Sequence, residues 1–140
     1  MAKAKRIKTV EKLNLSEHTL DINLRKCSYD KFRFSEIEDY VQAITGGRTY
    51  QYEAIKHTMI YLWGGGYKNA AALAKENFAL KDHIRERFGS LEMMLGHLPL
   101  ADRLSGVVHM ATGTGKSYVI FAVAYLSVVM GLTKRVLVLG

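Results

Sequence analysis

Residues 107–121 read VVHMATGTGKSYVIF, and no other stretch of the chain limits its fold as tightly. A β-branched apolar run (VVHMA) enters a Gly/Thr turn. A helical run follows, from about residue 115 to 130 and uncharged from Ser117 on, and a second β-branched run, RVLVL, closes the pattern. Short apolar runs flanking a helix read as buried strands, and strand–loop–helix–strand is a βαβ unit. The helix is apolar nearly all round, which suits coverage on both faces. The expectation is an α/β fold with an incomplete parallel sheet.

The turn has a definite chemistry. A triphosphate needs converging backbone N–H donors, one long cation and a hydroxyl on its metal, and a glycine-rich turn entering a helix N-terminus supplies donors and a favourable dipole together. Thr112, Gly113, Thr114 and Gly115 form the expected cradle, with glycines permitting positive φ and close approach. Lys116 is expected to reach the β- and γ-phosphates of ATP, and Ser117 to ligate Mg²⁺. The general pattern places a glycine where Met110 stands. His109, at the end of the first run, reads as a packed strand histidine.

MATGTGKS, with VVH before it and RVLVL after it, resembles motif I and the approach to motif Ia of superfamily 2 helicases. The likeness is to the DEAD/DEAH-like translocase lobes of type III and type I restriction enzymes and their defence-system relatives. The first loop glycine is commonly absent in that family, which accounts for Met110, and serine at 117 keeps the metal-binding hydroxyl. RTYQYEAI similarly resembles the family's Q motif, in which a glutamine amide reads the adenine edge with one donor and one acceptor. The resemblance gives Gln51 that role and has Tyr50 and Arg48 shape the pocket. It implies a RecA-like ATP-binding lobe over residues 46–140, the N-terminal part of an ATP-dependent DNA helicase or translocase. Duplex DNA would be held mainly by other parts, and a partner subunit of a restriction or defence complex is a possible companion. Gln51 and Lys116 are farther apart than this family leads one to expect, and residues 64–104 read as a helical insertion.

The rest of the chain reads as helix behind a basic leader. Residues 1–45 hold the leader, a segment with hints of extended structure (HTLDINLRKCSYDKFRF), and a short helix opened by Ser35 and Glu38 as a capping box and closed at Gly46. TYQYEAIKHTMIYLW, residues 49–63, places Ile55, Met59, Leu62 and Trp63 at helical spacing before a triple glycine. NAAALAKENFAL, KDHIRERFG and SLEMMLGHL give three further helices.

Composition narrows the function classes. The 140 residues, 49% hydrophobic and 24% charged, suit a soluble domain with one core. A net charge of +7 gives polyanionic partners only a modest lift, because part of it sits in the leader. Cys27 is the only cysteine, so no internal disulfide forms, and no metal-ligand spacing joins it to the five histidines. The absence of an apolar run behind the leader argues against a secretory signal, and the cytoplasm is the expected compartment. Residues 117–133 are uncharged but diluted by two serines, a glycine and a threonine, so a buried helix is preferred to a membrane span.

Turnover has no visible machinery. Hydrolysis in such a fold needs an acid on a further strand and arginines from a second lobe, yet no Asp or Glu follows Ser117. Motif II, motif III and motif VI have no counterpart, and a stop directly after VLVLG points to part of a longer protein. Two further readings stand beside the translocase: a segment that binds nucleotide and turns nothing over, and an interaction module whose loop is incidental.

Overall fold

A computed structural model describes residues 20–26 and 32–139. Six α-helices organise them: α1 (Glu38–Thr45), α2 (Thr49–Trp63), α3 (Ala70–Leu80), α4 (Asp82–Phe88), α5 (Leu91–Gly96) and α6 (Lys116–Val129). The leader through residue 19 and Cys27 lie outside the described residues.

No strand occurs among the described residues, which corrects the expected α/β, RecA-like architecture. The helix of the anticipated βαβ unit forms, but the runs on either side of it do not pair. Among the described residues, the backbones of 107–110 and 136–139 make no hydrogen bonds. β-branched sequence records fitness for a pleated, half-buried surface, and without a neighbouring strand that fitness has nothing to act on. Val107 is 93% exposed and Leu137 81%.

The main core joins α2 to α6. Ile55 and Met59 of α2 meet Val119, Ala122 and Leu126 of α6, and Phe34, Ile37 and Val41 close the cluster from the α1 side. Met110, standing where a phosphate loop often has glycine, packs against this core. Inside the helix pair, Trp63 Nε1 donates to Ser127 Oγ at 2.9 Å, and Ser127 Oγ donates in turn to Val123 O at 2.7 Å. A buried hydroxyl thus has both donor and acceptor capacity used.

Helix α1 starts differently from the capping-box expectation. Phe34 and Ile37 are both buried, and a 3₁₀ turn at Phe34–Glu36 carries them into the core. The N-cap becomes Ile37, with no side-chain cap, and Glu38 instead accepts from Tyr52 Oη at 2.5 Å. The hints of extended structure at 20–26 yield an irregular segment held by buried Asn77, which accepts from Asp21 N at 2.8 Å and donates to Asp21 O at 3.0 Å.

Helices α3, α4 and α5 gather around Ala74, Ile84 and Met94. The starts of α3 and α5 carry side-chain caps: Asn69 accepts from Ala72 N at 2.9 Å, and Ser90, which opens SLEMMLGHL as expected, from Met93 N at 3.2 Å. The chain leaving α5 is tied back by Ala70 N→Arg103 O at 2.8 Å and Ala71 N→Ala101 O at 2.9 Å. Tyr61 Oη then donates to Ser105 O at 3.0 Å, returning the chain to α2 just ahead of the Gly/Thr turn. No helix among the described residues is long and apolar enough to cross a membrane.

Candidate phosphate-binding loop

The turn is built by its own short bonds. Thr114 Oγ1 donates to Ala111 O at 2.6 Å, and Thr114 N reaches the same carbonyl at 3.4 Å. Gly113 (φ +79°) and Gly115 (φ +81°) take the left-handed conformation on either side of Thr114, and Gly115 is the N-cap of α6. That residue has no side chain to satisfy the first turn. Among the described residues, the N–H groups of Gly113, Gly115, Lys116 and Ser117 donate to no protein acceptor. Those of a helix's first turn project outward along its axis, at the positive end of its dipole.

Lys116 and Ser117 open α6 and are exposed, as are Thr112, Gly113 and Gly115. No acidic side chain forms an ion pair with Lys116 among the described residues, so its charge is not spent within the protein. Tyr118 Oη donates to Ile44 O at 2.7 Å and fixes the first turn of α6 against the end of α1. Residue spacing gave no signal of this contact, which spans 74 positions.

Gln51 comes to the loop from α2. It is only 4% exposed, and its Nε2 donates to Thr114 O at 2.7 Å across 63 positions of sequence. Its Oε1 is buried without a hydrogen-bond partner. A Cβ on Gly115 would lie 2.5 Å from Gln51 Nε2, so the close approach of amide and loop depends on glycine there. Reversing the amide would set Oε1 against the Thr114 carbonyl, two acceptors face to face, which supports the assignment.

The remaining sequence-named residues are less closely joined to the loop. Arg48 is the N-cap of α2, and its carbonyl accepts from Gln51 N at 3.0 Å and Tyr52 N at 3.1 Å. Its side chain and that of Tyr50 are exposed and make no hydrogen bond among the described residues. His109 is exposed where a packed strand histidine was expected, for want of a sheet to pack into. No group of His, Cys, Asp and Glu fit to hold a metal occurs among the described residues.

An open groove of about 630 Å³ lies elsewhere, lined by Phe121, Tyr125, Val128, Lys134, Arg135 and Val136 among others. It follows the uncovered side of α6 and is not lined by any residue of the turn. Unpaired N–H groups at a helix start suit an anion without enclosed volume, so the turn and not the groove is the candidate phosphate site.

No protein-family model, no curated protein and no solved structure matches the chain.

Proposed function

We propose that this chain binds the phosphates of a nucleoside triphosphate, ATP with Mg²⁺, at the loop formed by Thr112, Gly113, Thr114, Gly115, Lys116 and Ser117. One observation carries the reading. The unpaired N–H groups of 113 and 115–117, an uncommitted lysine and a hydroxyl lie together at one helix start, with a buried, partly unpartnered amide behind it. Lys116 supplies the cation for the β- and γ-phosphates, and Ser117 supplies a hydroxyl for Mg²⁺.

The proposal for these 140 residues is binding without turnover. No acidic residue follows Asp102 in the chain, and no carboxylate hydrogen-bonds to or ion-pairs with residues 111–117 among the described residues. Orientation of an attacking water therefore has no evident agent.

A wider reading is the nucleotide-binding segment of an ATP-dependent DNA helicase or translocase of restriction or defence type. It is favoured by the contact between Gln51 and Thr114, since the two stretches that carry the sequence resemblance meet in space. DNA contact, a partner subunit and hydrolysis belong to that wider reading.

Titration of a fluorescent ATP analogue into the 140-residue chain, with Mg²⁺ present, tests the proposal. Saturable binding that Lys116→Ala weakens by about tenfold or more, with no phosphate released, is the expected result. Unchanged affinity in Lys116→Ala assigns any binding to another surface and overturns it.

A further inference from the structure

We infer that Gln51 is a positioning residue of the phosphate loop and not a reader of the base, so that the site recognises a polyphosphate with no selection of adenine by this side chain. The inference rests on the proposed binding of phosphates at residues 112–117.

Reading an adenine edge takes one donor and one acceptor from the same amide. Here Nε2 is committed to Thr114 O at 2.7 Å, and Oε1 is sealed from solvent. With Gln51 only 4% exposed and Oε1 buried, the amide presents no open acceptor to an adenine edge. The same bond acts directly on the cradle. Thr114 stands between the left-handed Gly113 and Gly115, and its carbonyl shares one peptide plane with the unpaired N–H of Gly115, so holding that carbonyl sets the direction of that N–H. Glycine alone would leave that plane free to rotate. Gln51 is itself anchored in the first turn of α2, whose next turns carry Ile55 and Met59 into the main core. Core packing is thereby transmitted to the loop through one side chain, and the loop is ordered before a ligand arrives. Preorganisation of this kind raises affinity by reducing the ordering cost of binding.

A buried Oε1 without a partner is unfavourable, and a side chain of similar size without polar atoms would avoid the penalty. The amide stands at a position where only its donor is used. That is intelligible if the donor's work on Thr114 is what the position requires.

The test compares inorganic tripolyphosphate, ATP and GTP, each with Mg²⁺, by calorimetric titration of the 140-residue chain. The unsubstituted chain is expected to bind all three. Gln51→Met, which keeps the length and removes both amide atoms, is expected to weaken all three by a common factor of about tenfold. If Gln51→Met weakens ATP alone and spares tripolyphosphate, Gln51 reads the base and the inference is overturned, while the proposed function stands. An unchanged affinity for all three also overturns it. If the unsubstituted chain binds none of them, the phosphate reading itself fails and the inference falls with it.

Gln51→Glu gives a second measurement, useful should the methionine variant not fold. A protonated carboxyl can donate to Thr114 O and an ionised one cannot, and burial shifts the carboxyl toward the protonated form. Its tripolyphosphate affinity, taken relative to the unsubstituted chain at each pH, is expected to recover as the pH falls. A ratio constant with pH contradicts the inference, because a purely steric role for residue 51 has no proton to follow.

Discussion

Gly115 meets two demands at once: a φ of +81°, and a Cβ position 2.5 Å from Gln51 Nε2. Gly113 meets only the first, since its φ is +79° and nothing lies within 4 Å of its Cβ position. Alanine at either site incurs the left-handed penalty of about 1–2 kcal/mol. Gly115→Ala must also displace the Gln51 amide, so its loss of stability in urea and its loss of tripolyphosphate affinity are both expected to exceed those of Gly113→Ala. Equal losses in the two variants would deny the Gln51 contact any weight. The backbone of the loop was legible in the sequence: Gly113 and Gly115 take the positive φ that the turn calls for, and Lys116 opens the helix after it, while the phosphate chemistry of its side chains is a proposal. The attachment of Gln51 to Thr114 was not legible, because side-chain direction at the start of α2 depends on how α2 and α6 pack, which sequence spacing does not encode. Met110 was legible as a departure from pattern, and its packing against the main core gives it a structural use.

Helix α3 depends on a small polar cluster as well as on apolar packing. Lys26 ion-pairs with Glu76, and Tyr67 Oη donates to the other Glu76 oxygen at 2.9 Å while accepting from Asn23 N at 2.9 Å. The bond from Lys26, opposed by partial burial and aided by Tyr67, holds the Glu76 carboxyl below its ordinary value of 4.5. A carboxyl lowered on folding adds stability that is present above its unfolded value and is lost as pH falls through its folded value. Urea midpoints are therefore expected to fall as the pH drops below about 4.5, and Glu76→Gln is expected to flatten that limb. An unchanged acid limb in the variant would remove Glu76 from the account. At the alkaline end, burial pushes Tyr61 and Tyr67 above their ordinary 10.0, so stability is expected to decline as the pH rises past that value. At this scale the helices were largely legible. α2 occupies Thr49–Trp63, as its spacing and the following glycines indicate, and Asn69 and Ser90 cap α3 and α5. The capping box at Ser35 was misleading because burial of Phe34 and Ile37 outweighs the gain from a polar cap. VVHMA and RVLVL were misleading for a different reason: a strand is completed by another strand, and no local property of its sequence supplies one.

Among the described residues, α6 has a covered side and an uncovered one. α6 buries Val119, Ala122, Leu126 and Ser127 against α2 and α1, while Ile120, Phe121, Tyr125, Val128 and Val129 face outward beside the exposed 136–139 run. An apolar helix was expected to be covered on both faces, and only one is. Contiguous apolar surface of this kind binds hydrophobic dyes and promotes association. Anilinonaphthalene sulfonate fluorescence is expected to rise strongly with the native chain and to fall in Val129→Lys, with helical circular dichroism unchanged. Equal dye binding by the two would mean that this side of α6 is not what the dye reports. The loop lies at the N-terminal end of the same helix, so the element exposed along its flank is also the one that presents the N–H groups of Gly115, Lys116 and Ser117. The proposed phosphate binding requires those groups to meet the ligand. Amide nitrogen–proton NMR spectra during titration with magnesium tripolyphosphate read them one by one. Binding at the loop places the largest shifts on Gly113, Gly115, Lys116 and Ser117 and on the Gln51 side-chain amide. Shifts confined to the lysines and arginines of α3–α5, or none at any of the named groups, would contradict it.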